Sequence, residues 1–247
     1  NYLCAKQEGN AVYCLGSNNP PVALGRYNFA GSRTWWRGEI ARVMSPQNNN
    51  DNHWLPATVA GLAAGAKGLN CVNTNNRIQC IGYHNNQVRT TNLRQANGND
   101  MIFNNPLRDL AVAESVGCFV DHVGCVKCFG SNHEGQRGNG YRQNCGPQGQ
   151  VECQFDRPTP IDDFCRPLDA NPPPLGNGNI TNVVVGATHA CAATANGEDV
   201  WCWGRTDQGQ AGSQAQGISH CLCPLEVQFS LNENVPQPAC PQTCQSN

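Results

Sequence analysis

A cysteine-containing pattern that recurs four times constrains the fold of this sequence more than any other feature. In each copy, two cysteines are separated by roughly ten residues, and an apolar residue and a glycine follow the second cysteine. The copies are CAKQEGNAVYCLG (4–16), CVNTNNRIQCIG (71–82), CFVDHVGCVKCFG (118–130) and CAATANGEDVWCWG (191–204). A pattern of this complexity does not recur by chance, so we expect a fold built from four similar units.

The middle of every copy contains residues that are typical of tight turns. The midpoint of the fourth copy is Asn196-Gly197, a strong signal for a two-residue hairpin loop. The other midpoints are 8–10, 75–76 and 122–124, and Gly124 supplies the left-handed residue that a three-residue loop needs. Each copy is therefore predicted to be a β-hairpin whose two cysteines face each other closely enough to bond. The predicted disulfides are Cys4–Cys14, Cys71–Cys80, Cys118–Cys128 and Cys191–Cys202.

The total of 16 cysteines favours disulfides and therefore an oxidising, extracellular compartment. Cys125 and Cys128 have the spacing of half a zinc site, but no second pair lies at a suitable distance along the chain, so no metal is predicted. Spacing leaves the pairing of the remaining eight cysteines open. These are Cys125, Cys145, Cys153, Cys165, Cys221, Cys223, Cys240 and Cys244.

The triplet Asn179-Ile180-Thr181 is an N-glycosylation sequon. It lies in a stretch rich in glycine and asparagine, which we expect to be exposed. The sequence therefore predicts a glycan on Asn179, in agreement with secretion.

Several function classes are disfavoured by composition and by missing motifs. The formal net charge is -2 and only 14% of residues are charged, so the chain lacks the basic field that nucleic acid requires. No apolar run approaches the roughly 20 residues of a membrane span. Gly204 and Gly209 have the spacing of a phosphate-binding loop, but the lysine and hydroxyl residue of that motif are absent. No nucleophile–base pattern stands out, so we predict a protein without catalytic residues or cofactor.

Tryptophans are the remaining candidates for function. Trp201 and Trp203 alternate around Cys202, so both should point to one face and pack between structural units. Other aromatic residues lie outside the repeats, beside an arginine, where they are candidates for binding glycan or protein. The candidate binding surface consists of Trp35, Trp36, Arg37 and Trp54.

The fourth copy resembles the repeat of the regulator-of-chromosome-condensation family, most closely its extracellular variants with paired cysteines. The matching positions are His189, Cys191, Asn196-Gly197, Val200, Cys202, Trp203-Gly204 and Gly209-Gln210-Ala211-Gly212. The resemblance implies a β-propeller in which each repeat forms about one four-stranded blade. The family's nuclear role is not implied, because the cysteines favour another compartment.

The predicted fold class is therefore all-β, a β-propeller-like array of four repeats with long disulfide-stapled loop insertions near 26–57 and 141–178. We expect a single domain over 1–247. Its repeats lie at about 1–57, 58–105, 106–178 and 179–231, and a Cys/Pro-rich tail occupies 232–247. Four repeats are fewer than the seven blades usual in the resembled family, so the count allows an incomplete propeller.

The expected function is that of a non-catalytic extracellular protein whose blades and loops serve protein assembly, for example as a filament or surface-appendage subunit. Copies of itself or a neighbouring subunit are the expected partners. The alternative is a secreted propeller that binds a glycan or a protein, in the manner of a lectin or inhibitor. The first copy lacks the apolar strand that precedes the others, and we expect a neighbouring subunit or an earlier segment to supply it. Residues 224–231 are another candidate for that strand.

Overall fold

A computed structural model describes residues 2–6, 12–16, 41–42, 59–65, 69–74, 76–84, 87–142, 156–210, 218–227 and 239–244. The chain divides into two compact units, and the predicted single domain over 1–247 stays a prediction. Unit 1 contains residues 1–106 and 112–115, and unit 2 contains residues 107–111 and 116–247. The strands form four antiparallel sheets, which we number in chain order.

Unit 1 holds the first two sheets. Sheet 1 has the strand order β1-β2-β3 and sheet 2 the order β4-β5-β6-β7. Their bounds are β1 Tyr2–Lys6, β2 Val12–Gly16, β3 Ala41–Arg42, β4 Val59–Ala64, β5 Asn70–Thr74, β6 Ile78–His84 and β7 Gln87–Asn92. Strands adjacent in sequence are therefore adjacent in the sheet, as expected for units built from hairpins.

Unit 2 is organised around sheet 3, of order β8-β9-β10-β11, and sheet 4, of order β12-β13-β14-β15. The bounds are β8 Asp109–Val112, β9 Val116–Val120, β10 Val126–Gly130, β11 Thr159–Pro160, β12 Ile180–Val185, β13 His189–Thr194, β14 Val200–Arg205 and β15 His220–Glu226. A short helix α1 covers Asp162–Cys165, and 3-10 turns cover Leu175–Gly178 and Gln242–Cys244. Among the described residues, no helix is long and apolar enough to cross a membrane.

The strand register places the two cysteines of every copy directly opposite each other. Three of these pairs are disulfides with Cα atoms 4.0–4.1 Å apart, which is close even for a non-hydrogen-bonded antiparallel pair. They are Cys71–Cys80, Cys118–Cys128 and Cys191–Cys202. The side chains of Cys4 and Cys14 lie outside the described residues.

The hairpin loops of the third and fourth copies are described in full and lie at the predicted midpoints, but one has a different length. Gly124 has a φ of 89° in a three-residue loop closed by the Asp121 N–H and the Cys125 carbonyl, as the sequence predicts. For the fourth copy the prediction of a two-residue loop is wrong. There the Thr194 N–H bonds to the Asp199 carbonyl, so four residues form the loop and Gly197 occupies its left-handed position. The side chains of Thr194 and Asn196 hydrogen-bond each other and hold this longer loop.

The remaining described cysteines form three more disulfides. Cys125 bonds to Cys165 at the end of α1, so the second insertion is attached to the hairpin of sheet 3. The other two bonds, Cys221–Cys240 and Cys223–Cys244, hold residues 239–244 on β15. Cys145 and Cys153 lie outside the described part of the chain. Within that part there is no group of three metal-ligating side chains.

Part of the C-terminal stretch 224–231, the candidate for a further strand beside the first copy, is described. Residues Pro224 to Glu226 belong to β15, where Leu225 and Glu226 pair with Cys202 and Trp201 of β14. These residues therefore form the last strand of sheet 4, and residues 228–231 lie outside the described residues.

The core of unit 2 lies between sheets 3 and 4. Trp201 and Trp203 are both buried there, and both rings contact Phe164 of α1 with centroids 5.8 Å and 5.9 Å away. The prediction that the two indoles share one face and pack between structural units is therefore confirmed. This packing sets the distance between the sheets and positions the loops that leave β10 and β14.

Candidate interaction site

Two turns follow equivalent strands and share one local structure. Turn A comprises residues 131–142 after β10, and turn B comprises residues 206–210 after β14. In turn A the Glu134 N–H donates to Gln136 Oε1 at 2.9 Å, and in turn B the Gln208 N–H donates to Gln210 Oε1 at 2.8 Å. The glycine between these residues has a φ of 76° in both turns. The repeat therefore fixes the conformation of the turn as well as that of the hairpin.

Turn A packs on sheet 4. The buried side chain of Gln136 donates from Nε2 to the Ala187 carbonyl at 3.1 Å, and the backbone carbonyl of Gln136 accepts from Trp203 Nε1 at 2.7 Å. A Cβ atom at Gly138 would lie 2.7 Å from the Trp203 ring, so only glycine allows this approach. The Gly140 N–H donates to the Leu222 carbonyl on β15. Turn A is therefore an intersheet contact made largely by backbone and amide groups.

A buried arginine ties turn A to its own sheet. Arg137 is completely buried, and its backbone N–H donates to the Asn132 side chain at 2.9 Å. Its guanidinium donates to Thr159 Oγ1, the Gly130 carbonyl and the Arg157 carbonyl. Because several acceptors hold the cation, turn A presents a fixed surface to sheet 4.

A second polar link joins turn A to β15. His220 is buried, and its ring nitrogens lie 2.6 Å from Glu134 Oε2 and 2.7 Å from Ser219 Oγ. The hydrogen bond from His220 is the main reason that the pKa of Glu134 lies below its ordinary value; Arg142 and Arg205 also lower it. Both imidazole nitrogens are engaged, so the histidine acts as a connector between the sheets.

Turn B presents its polar groups to solvent. Arg205 holds Asp207 with two hydrogen bonds, of 2.8 Å to Oδ1 and 2.5 Å to Oδ2, and Gln210 Nε2 donates to Oδ1 at 3.1 Å. The bonds from Arg205 and Gln210 lower the pKa of Asp207 to about 2. Residues 207–209 are exposed. The result is a preorganised charged turn on the surface.

The predicted site residues fall partly outside the part of the chain that the structure describes. Trp35, Trp36, Arg37 and Trp54 lie outside the described residues. Asn179 is exposed, at the end of a 3-10 turn. No sequence pattern points to the pair Glu134 and His220, which are 86 positions apart. Their contact depends on how two sheets pack, whereas the shared Gly-Gln letters of turns A and B are visible in the printed sequence.

The repeat is supported by comparison with a known family. Residues 180–210 match the sequence model described as "Regulator of chromosome condensation (RCC1) repeat". The chain contains an RCC1 repeat. The match covers sheet 4 up to Gln210 of turn B, which is the copy that also carries the clearest sequence pattern. The comparison with curated proteins found no significant match.

Solved structures show that the RCC1-type fold extends over nearly the whole chain. A chain in the crystal structure of Kap60 bound to yeast RCC1 (Prp20) superposes with a TM-score of 0.63 at 18% identity, covering 95% of this chain and 48% of that one. Prp20p from Saccharomyces cerevisiae gives 0.59 at 18%, with 95% and 49% covered. Human WBSCR16 gives 0.58 at 16%, with 92% and 51% covered. The protein is thus a β-propeller-like array of RCC1-type repeats that spans about half the length of these chains.

Proposed function

We propose that this protein is a non-catalytic extracellular interaction module that assembles with copies of itself, or with a neighbouring subunit, through turn B. One observation carries the proposal. Turns A and B have the same conformation, and turn A uses it to bind a sheet. Turn B offers the same conformation on the surface.

Turn A indicates what kind of surface would suit turn B. It is bound by a backbone carbonyl, an indole N–H and backbone groups of an outer strand of sheet 4, and backbone carbonyl and N–H groups of this kind are present in any β-sheet. The Gln210 position is equivalent to Gln136, whose amide makes the contact in turn A. A sheet of a second copy would therefore present suitable groups to turn B. Because such a contact joins different surfaces of two copies, it would propagate head to tail into a filament or surface appendage.

The relatives support a protein partner. The yeast protein Prp20 is bound by Kap60 in one crystal structure, and another structure was described with its binding to Gsp1p and histones. Prp20 therefore has protein partners. This chain has the same fold, and we infer a partner of the same general kind but not those partners themselves.

The disulfides support an extracellular setting. Six are present among the described residues, and three of them link the repeats' own hairpins. Disulfides of this number persist in oxidising compartments and are reduced in the cytosol. Secretion would also expose the charged turn B to partners outside the cell.

The test compares two matched surface ion pairs. Arg205 and Arg77 pair with Asp207 and Asp100 respectively, and their side chains are similarly exposed, at 41% and 44%. The substitution Arg205→Glu reverses the charge in turn B, whereas Arg77→Glu does so on unit 1. Light scattering over a concentration series and negative-stain microscopy would measure assembly of each protein.

The expected result is concentration-dependent growth of wild type and Arg77→Glu, with growth lost in Arg205→Glu. A wild-type protein that stays monomeric at every concentration would contradict self-assembly. Binding of that monomer to a glycan array would then favour the alternative function, a lectin-like module. Equal loss of assembly in both variants would show that turn B is not the contact.

A further inference from the structure

Two large apolar side chains are exposed beside one short backbone segment of unit 2. Leu168 is 70% exposed and Val123 is 56% exposed, and we call them the apolar patch. Gly178 borders the Leu168 side chain and the Val123 backbone, because a Cβ atom built there would lie 3.1 Å from Leu168 Cδ2 and 3.2 Å from the Val123 carbonyl oxygen. The next residue along the chain is the exposed Asn179.

The backbone around Asn179 is held firmly. The guanidinium of Arg108 donates to the carbonyls on both sides of it, at 2.8 Å to Gly178 and 2.8 Å to Ile180. The same guanidinium donates to the His122 carbonyl at 2.8 Å, in the hairpin loop that carries Val123. One side chain thus fixes the asparagine and half of the apolar patch relative to each other.

We propose that Asn179 carries an N-linked glycan whose first sugars lie over the apolar patch. Asn179, Ile180 and Thr181 form the acceptor triplet, and the asparagine side chain lies at the surface. A sugar ring has an apolar face of C–H groups, and an N-acetyl group adds a methyl, so both can pack on aliphatic side chains. The hydroxyl groups would then face water and make this surface soluble.

The attachment is a group transfer from a lipid-linked oligosaccharide diphosphate. The Asn179 amide nitrogen forms a bond to C1 of the first sugar, and the bond from that C1 to the diphosphate oxygen breaks. The amide loses one proton, and the lipid diphosphate leaves with the bonding electron pair. No oxidation or reduction takes place, so the secretory pathway needs to supply the donor and the transferase, whose base accepts the amide proton.

Glycosylation of Asn179 can be tested with a matched pair of variants. Thr181→Ala abolishes the acceptor triplet, whereas Thr181→Ser keeps it and keeps the hydroxyl that hydrogen-bonds Asn182. Each protein would be secreted from a glycosylating eukaryotic cell, and mass spectrometry of the peptide with Asn179 would measure occupancy. We expect glycan on wild type and Thr181→Ser, and none on Thr181→Ala.

A second comparison tests whether the glycan covers the apolar patch. Enzymatic removal of the glycan from folded wild type should lower the Tm by about 2–4 °C and increase binding of an apolar dye. With Val123→Ser and Leu168→Ser together, the same removal should change the Tm by less than about 1 °C. An unmodified Asn179 in secreted protein would overturn the site, and equal Tm losses in both backgrounds would overturn the covering role. Neither result depends on assembly through turn B.

Discussion

Turns A and B have the same local structure in two different surroundings. Their backbones share the glycine at a φ of 76° and the same side-chain-to-backbone hydrogen bond. Turn A nevertheless buries Gln136 and Arg137, whereas residues 207–209 of turn B are exposed. The repeat thus determines how the turn folds, and the neighbouring sheet determines how much the turn contributes to stability.

The carboxylates of the two turns show the same contrast. The pKa of Glu134 is lowered mainly by a hydrogen bond from His220 on another sheet, whereas that of Asp207 is lowered mainly by Arg205 two residues away. Protonation of Glu134 therefore weakens a tertiary contact. Protonation of Asp207 weakens a local one. Four measurements would sharpen this comparison or break it.

Removal of the indole beneath turn A should have the largest effect. Trp203 is completely buried, and its N–H donates to the Gln136 carbonyl. Trp203→Ala should lower the free energy of unfolding by about 3–5 kcal/mol, through the cavity and the lost hydrogen bond. Urea unfolding with the disulfides intact would measure it. The control Trp203→Phe keeps most of the ring and should cost about 1–3 kcal/mol, mainly for the unpaired carbonyl. A loss below about 1 kcal/mol for Trp203→Ala would show that turn A is not an important intersheet contact.

The two equivalent glycines should differ by a smaller amount. Alanine at either Gly135 or Gly209 has to adopt a left-handed conformation, which costs about 1–2 kcal/mol. At Gly135 the new Cβ would also lie 2.4 Å from Leu222 Cδ2, whereas at Gly209 no neighbouring atom of the described residues lies within 4 Å of it. Because Leu222 Cδ2 is the end of a flexible side chain, we expect an extra cost of about 1 kcal/mol for Gly135→Ala. Equal unfolding curves for the two variants would mean that turn A has room to move away from β15.

Some features of the repeats could be predicted from the sequence and others could not. Hairpin positions were predictable because opposed cysteines and turn residues are local signals, and Gly124 has the expected conformation. The four-residue loop around Gly197 was not predictable from Asn-Gly alone, because the side chain of Thr194 adds hydrogen bonds that extend it. The orientation of Trp201 and Trp203 followed from strand alternation.

The arrangement of the candidate interaction site was not predictable, for a physical reason. Turns A and B have similar amino-acid sequences, and nothing in those sequences indicates which of the two turns packs on another sheet. The link from Glu134 to His220 and the disulfide from Cys125 to Cys165 join residues that approach only after the sheets pack. Spacing carries information about local geometry, whereas these contacts depend on tertiary structure.

A pH series should show the tertiary role of Glu134. Its folded pKa lies below the ordinary value of 4.5, so its ionised form stabilises the fold above that pH, and this contribution is lost as the pH falls through the folded pKa. Glu134→Gln should therefore flatten the acid side of the stability profile, measured by urea unfolding below about pH 5. His220→Gln should do the same, and the double variant should add little, since both changes remove one link. Fully additive losses would contradict a direct pair.

The smallest effect is expected at turn B, where the ion pair is exposed. Arg205→Ala should raise the pKa of Asp207 from about 2 towards its ordinary value of 3.8, because the main hydrogen-bond donor is lost. Gln210→Ala should raise it less, since its amide is the second donor. Carboxyl-carbon NMR titration would measure both shifts. Asp207 stabilises the fold above its unfolded pKa and loses that contribution as the pH falls towards 2. Because solvent and salt screen an exposed ion pair, the free energy of unfolding at neutral pH should hardly change in either variant. Arg205→Ala could instead destabilise the protein as much as Gly135→Ala does. Turn B would then have to be covered in solution, as turn A is covered by sheet 4. The two turns would differ in what covers them and not in how exposed they are.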